Sequence, residues 1–341
     1  MLKKIFIKVI FLVIILVGFN FIYAKWFYEK DIQEHSAIIN FVRDIPNNAD
    51  IIYIGESSNT TYREDDNDKR TISEFVGDYY PNLNTYQITK PGSHAGIYKV
   101  LLDKIPKENK VETLVVTLNL RSFNAQWIYS ELETPLQKSL VLLQPYPPLF
   151  NRFLLSFKAY DIASDEERRK QYNEKWVEDE FEMPDDFPYK NVAEWDYGMA
   201  SSGKFEQSKI ELACHYIKGY GFQIDLENNP RIKDFDNIVT IAKERNWNLV
   251  FNLLAENTQK ADELVGDDLI YMMNQNTEKL IKYYENKGVT VVNNLNKVDD
   301  NQFIDQSWTT EHYAEKGRKT VAKNVAEGLK KWHAEFFESV E

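Results

Sequence analysis

The chain predicts an α/β protein built on a parallel sheet, and three observations carry that expectation. Short apolar runs rich in β-branched residues recur at 51–54 (IIYI), 85–89 (TYQIT) and 112–118 (ETLVVTL). Each ends in a turn of small or polar residues, and segments of helical length separate them. Strands buried on both faces of a parallel sheet read as unbroken apolar runs. Strand–turn–helix units in succession give a doubly wound, three-layer architecture.

Composition supports a sizeable core: 341 residues, 43% hydrophobic and 28% charged. Such a length suits one large or two small domains. With 41 basic against 53 acidic residues the net charge is −12, so no nucleic-acid partner is expected, because phosphate binding needs concentrated positive charge. Cys214 is the single cysteine, which excludes an intramolecular disulfide and a cysteine-based metal site. No cluster of histidines and carboxylates has ligand spacing, so neither metal nor cofactor is expected.

The first 26 residues stand apart. Lys3, Lys4 and Lys8 precede an uncharged apolar run at 9–24, interrupted weakly by Gly18 and Asn20. Counted over 5–24 the segment has the roughly 20 residues that a membrane-crossing helix needs. Lysines before it, and Tyr23, Trp26 and Tyr28 at its far end, place the N-terminus in the cytoplasm and the rest outside. A cleaved signal peptide is the rival reading, but Ile22 and Ala24 replace the usual pair of small residues at the cleavage site. The expected plan is a signal anchor at 1–26, a juxtamembrane helix or linker at 27–46, and an α/β domain at 47–341.

Within that domain, a helix over 71–80 should stop at Pro81, after a solvated charged loop at 63–70 (REDDNDKR). A second helix is expected at 97–105. The rhythm then lapses over 125–230, which is rich in aromatic residues, proline and charge. It reads as a mostly helical insertion, with an amphipathic helix at 205–218 as its clearest element. From Phe235 the rhythm returns: a helix to Arg245, a strand at 248–254, a helix at 267–286 closed by Gly288, and a strand at 289–292. A final amphipathic helix follows the stretch DQSWTTEHY at 305–313.

The stretch IIYIGESSNTTY, 51–62, is the candidate site. Ligands in open α/β sheets bind outside the carboxyl ends of the strands, and a serine there becomes a nucleophile when a histidine comes within hydrogen-bond reach. The bland alternative is a turn whose serines and asparagine cap the next helix. Three further points fall on strand ends or the last loop: Gly92 or Gly96 after the second strand, Asn119 after the third, and His312 before the last helix. Singly, His312 reads as a helix-terminal residue and Asn119 as a turn former. His94 reads as a loop histidine, and His35, His215 and His333 have no role.

In that order the four points resemble the SGNH (GDSL-like) hydrolase superfamily over roughly 48–122 and 235–330. Gly55-Glu56-Ser57 stands where that family has Gly-Asp-Ser. Asn119 matches the asparagine of its third block, with Thr117 and Leu120 beside it, and Thr309-Thr310-Glu311-His312 keeps the histidine of its last block while Thr309 replaces the aspartate. The resemblance implies a three-layer SGNH-like (flavodoxin-like) sheet with Ser57 as nucleophile and His312 as base. It also implies an oxyanion hole from the Ser57 and Gly92 amides and the Asn119 side chain. The third member is left open between Asp305, Glu311 and a backbone carbonyl, with Asp305 the chosen residue.

An outward-facing domain behind an N-terminal anchor resembles envelope proteins of that superfamily that transfer or remove acyl groups, of the D-alanyl-transfer protein or alginate O-acetyltransferase type. The implied function is a serine esterase or O-acyltransferase working through an acyl-serine. Its partners would be an acylated envelope polymer or small acyl ester, the bilayer, and a membrane acyl-transfer protein. The other class of function is a catalytically silent module of the same fold, binding a glycan or a protein in an envelope assembly.

Overall fold

The structure is a computed structural model that describes residues 2–160, 165–174, 180–181, 183–184 and 186–340. Among the described residues, β1 (Ile51–Gly55), β2 (Thr85–Thr89), β3 (Thr113–Leu118), β4 (Asn248–Leu253) and β5 (Thr290–Asn293) form one sheet. All neighbours are parallel, in the order β2-β1-β3-β4-β5. This is the flavodoxin-like order, whose switch point lies beside the first strand. The α/β expectation holds, and strand boundaries shift by a residue or two.

Burial on both faces explains the unbroken apolar runs: β1 and β3 are buried at every position. Ile51, Tyr53, Val115 and Val250 pack on one side with the helices Ile72–Asp78 and Glu315–His333. On the other side Phe251 meets Phe235 of the helix Pro230–Arg245 and Tyr284 of the helix Asp267–Glu285 at ring separations of 5.0 and 4.9 Å. Three layers result. Pro230 starts its helix in the first turn, where a missing N–H costs nothing, so that helix begins earlier than Phe235. Gly288, at φ +86°, ends the next one in the left-handed region as expected.

The charged stretch 63–70 is not a free solvated loop. Arg318, fully buried on the last helix, donates to the Asp66 carboxylate at 2.8 Å and to the carbonyls of Asp68, Arg70, Thr61 and Tyr313. A buried guanidinium must satisfy its fork of donors, and this loop supplies the acceptors.

The chain divides into two compact units. Ile45–Ser130 and Glu166–Glu341 make the sheet-bearing unit, while Met1–Asp44 and Glu131–Asp165 make the other. The stretch expected as one insertion, 125–230, is therefore shared between the two. Its apolar positions announce a buried face but do not say which element covers it. Within the smaller unit, the helix Leu2–Trp26 is long and apolar enough over Lys3–Trp26 to cross a membrane. The juxtamembrane segment breaks at Ser36 into the helix Tyr28–His35 and shorter turns. Tyr28 donates its hydroxyl to the Leu142 carbonyl at 2.8 Å. Of the charged run at 164–186, the helix Asp165–Asn173 is described, and 164, 175–179, 182 and 185 lie outside the described residues.

Candidate active site

Gly55 ends β1 because nothing larger fits: a Cβ there would lie 2.5 Å from the Thr117 hydroxyl on β3. The neighbours such a Cβ would meet are the side chains of Thr117 and Tyr53, which would have to give way. Glu56 follows in extended conformation, and Ser57–Asn59 form a single 3-10 turn. The amides of Asn59 and Thr60 donate to the Glu56 and Ser57 carbonyls, so the Ser57 amide stands ahead of the turn's own bonding. Asn59 fastens this turn. It donates to Ser73, Gln87 and Thr89 and accepts from the Ser73 amide. Asn59, rather than Ser58, thus reaches the first helix, which is capped by Thr71 in a capping box with Glu74.

At the other end of the sequence, Phe303 and Tyr313 pair as an antiparallel bridge, and the Ile304 amide donates to the His312 carbonyl at 2.9 Å. That pairing folds 303–313 back on itself and sets Asp305 beside His312. His312 Nδ1 lies 2.7 Å from Asp305 Oδ2, and His312 Nε2 lies 3.0 Å from Ser57 Oγ, across 255 residues of chain. Thr310 donates its hydroxyl to the same Asp305 oxygen. Serine, histidine and aspartate therefore stand in one hydrogen-bonded line. All three are partly exposed, so the line opens to solvent. Of the candidates for third member, Glu311 points elsewhere.

Glu311 belongs to a buried polar cluster behind the line. Arg121 grips it through two hydrogen bonds of 2.5 Å, both side chains being buried. Glu256, wholly buried after β4, accepts from the Tyr220 hydroxyl. Glu56 is buried too, and its Oε2 lies 3.1 Å from Ser57 Oγ. Three carboxyls thus share one guanidinium. Burial, and next the negative charge of Glu311, push the Glu256 carboxyl well above the usual range and raise that of Glu56 as well. Burial would raise Glu311 also, but Arg121 overrides it and holds Glu311 below the ordinary value. Burial and shared negative charge thus push the two carboxyls apart, Glu256 upward and Glu311, held by Arg121, downward.

Gly92 lies in the loop after β2 at φ +68°, partly exposed, with open space where a Cβ would stand. The Gly96 amide is already spent on His94 Nδ1, which caps the helix Ala95–Asp103. Asn119 closes β3 in extended conformation and makes no side-chain cap. Its carbonyl takes the Ser122 amide and hydroxyl, and its side-chain oxygen is buried without a hydrogen-bond partner among the described residues. Because β1 pairs with both β2 and β3 in parallel, the segments carrying Ser57, Gly92 and Asn119 leave the same edge of the sheet. His215 packs against Trp308 of the histidine loop, ring centroids 3.9 Å apart and planes tilted by 49°, and His333 bonds Thr113 at the start of β3. A cavity of about 280 Å³ lined by Phe123, Tyr129, Phe181, Phe222 and Asn229 does not include Ser57, Asp305 or His312.

Asp31, Glu34 and His35 are the metal-type grouping among the described residues. Asp31 there already accepts from Tyr23 and pairs with Arg152. The Arg121–Glu311 pair and Glu256 are site neighbours that sequence reasoning missed. Their signal was available, since Arg121 and Glu256 both lie within a few residues past a strand's carboxyl end, where Ser57 and Asn119 also fall.

Sheet order and site together define an α/β protein of flavodoxin-like topology carrying a Ser–His–Asp array at the carboxyl ends of its strands. No family model matches the chain, and no curated protein matches it. Among solved structures it is similar to a lipase/acylhydrolase from Enterococcus faecalis, at 9% identity and a TM-score of 0.36, over 83% of this chain and 96% of that one.

Proposed function

We propose that the chain is a serine-dependent acyl esterase or O-acyltransferase of SGNH type, anchored by its N-terminal helix with the sheet-bearing unit outside the cytoplasm. The observation that carries this reading is the hydrogen-bonded line Ser57–His312–Asp305. His312 Nε2 takes the Ser57 proton as Oγ attacks the acyl carbon, and Asp305 holds the Nδ1–H that orients the ring. The oxyanion receives the Ser57 and Gly92 amides and the Asn119 side-chain N–H. When the tetrahedral adduct collapses, the leaving alkoxide takes the proton from His312 and an acyl-Ser57 remains. Water or a polymer hydroxyl, deprotonated in turn by His312, then releases the acyl group. The substrate class is an acylated envelope polymer or a small acyl ester, met at the membrane surface with a membrane acyl-transfer protein as partner.

Labelling by a fluorophosphonate tests it. Ser57→Ala should abolish labelling and ester turnover, His312→Ala should lower both nearly as far, and Ser58→Ala should keep them. One contact favours the second reading, a silent binding module: the Ser57 hydroxyl has Glu56 as an alternative acceptor. Full cellular function in Ser57→Ala would establish that module and sink the enzyme.

A further inference from the structure

The smaller unit carries a row of exposed aromatic rings. In the helix Pro148–Ser156 and its flanks, Tyr146, Phe150, Phe153 and Phe157 are all exposed, Phe157 by 79%. Spacings of three and four residues put Phe150, Phe153 and Phe157 on one stripe, and Tyr146, just before the helix, meets Phe150 edge to face at a ring separation of 5.6 Å. The opposite stripe is accounted for, since Leu155 and Asn151 are buried. Asn151 donates to the carbonyls of Leu142 and Gln144 and so fixes the turn that launches the helix. Exposed aromatic rings in such a row are rare on surfaces that face water.

The same helix is tied to the apolar N-terminal helix at a telling height. The Leu149 amide donates to Asn20 Oδ1 at 2.9 Å, and Arg152 pairs with Asp31 at 2.7 Å. Asn20 lies six residues before Trp26, or roughly 9 Å along a helix axis. Aromatic residues such as Trp26 sit at the headgroup level, and interfacial helices bury their apolar face about 5–10 Å into the headgroup–acyl boundary. Between Tyr146 and Lys158 there is no acidic residue, and Arg152 and Lys158 are basic, which suits an anionic lipid surface.

From the tie at Asn20 and the aromatic stripe we infer that the helix Pro148–Ser156 lies in the outer membrane interface, a second bilayer contact beside the spanning helix. The inference rests on the anchored reading above. Tyr146, Phe150, Phe153 and Phe157 enter the lipid, while Arg152 stays at the polar level with Asp31. The two contacts together fix the tilt and rotation of the smaller unit on the bilayer, which one spanning helix leaves free.

The test uses the full chain in phosphatidylcholine–phosphatidylglycerol vesicles, with Cys214→Ala as background and an environment-sensitive fluorophore at one new cysteine. Phe153→Cys and Phe157→Cys should emit to the blue and lose most of their emission to nitroxide lipids labelled near the headgroup. Ile14→Cys should lose it to nitroxides at the bilayer centre, and Tyr197→Cys, exposed in the sheet-bearing unit, to neither. If Ile14→Cys is quenched while the phenylalanine positions behave like Tyr197→Cys, the interfacial helix is refuted and the anchor stands. If Ile14→Cys also behaves like Tyr197→Cys, both are refuted. Blue emission without quenching at the phenylalanine positions would mean that protein covers the face, and would overturn the lipid assignment.

Discussion

Aspartate 305 reaches His312 from seven residues upstream, and the adjacent Glu311 does not. Asp305→Asn should leave the ring held in the wrong tautomer and lower kcat by roughly 10²–10⁴-fold, against little change for a dyad. Asn119→Ala should cost about 10²–10³ in kcat with binding largely kept, read by a kcat-against-KM comparison. The buried carboxyls divide by sign. Glu256 is raised by burial and Glu311, so its contribution to stability is full below the unfolded-state value and is lost as pH rises through the folded one. Glu256→Gln should therefore flatten the fall of Tm on the alkaline side and cost little near neutrality. Glu311 is held low by Arg121 against the opposing effect of burial, so its contribution is lost as pH falls through its folded value. Glu311→Gln strands a buried guanidinium and should cost about 3–5 kcal/mol in a denaturant melt at pH 7.

Two elements hold the serine turn in register with the histidine loop. The last helix grips the loop 61–70 through Arg318, and that loop joins the serine turn to the first helix of the sheet unit. Arg318→Leu removes every one of those bonds and leaves the buried Asp66 with only the longer pairing to Arg63, at 4.0 Å. A loss of about 3–5 kcal/mol is expected, with faster amide exchange over 61–70 while the sheet stays protected. β1 and β3 meet with no room at Gly55. Gly55→Ala should destabilise by about 1–3 kcal/mol through overpacking. Thr117→Ala in the same chain should restore part of it, because the hydroxyl at 2.5 Å is the atom in the way. No rescue would place the strain elsewhere.

For the molecule as a whole, the proposed orientation rests on charge. Lys3, Lys4 and Lys8 lie in the first turns of the helix Leu2–Trp26, ahead of its uncharged apolar run. Alkaline-phosphatase fusions placed after Trp26 should be active, since the lysines stay on the cytoplasmic side. Inactive fusions would reverse the proposed location, and a mature N-terminus near Lys25 would remove the anchor.

The sheet was legible from the chain alone because a strand buried on both faces is mostly apolar, and 51–54, 114–116 and 249–251 are written that way. Ser57, Asn119 and His312 were legible for a related reason: they fall at strand ends or on the loop before the last helix, and residue order survives folding. Partnership is another matter. Asp305 meets His312 through a backbone bridge between Phe303 and Tyr313, and no local pattern records which of two nearby acids a loop will turn inward. Arg121 and Glu311, 190 residues apart, satisfy each other only after the sheet has brought their loops together. Likewise 131–156 falls within the stretch read as one insertion, but only the tertiary structure groups it with the N-terminal helices. Hydrophobic periodicity encodes that a face is buried, and long-range packing alone chooses what buries it.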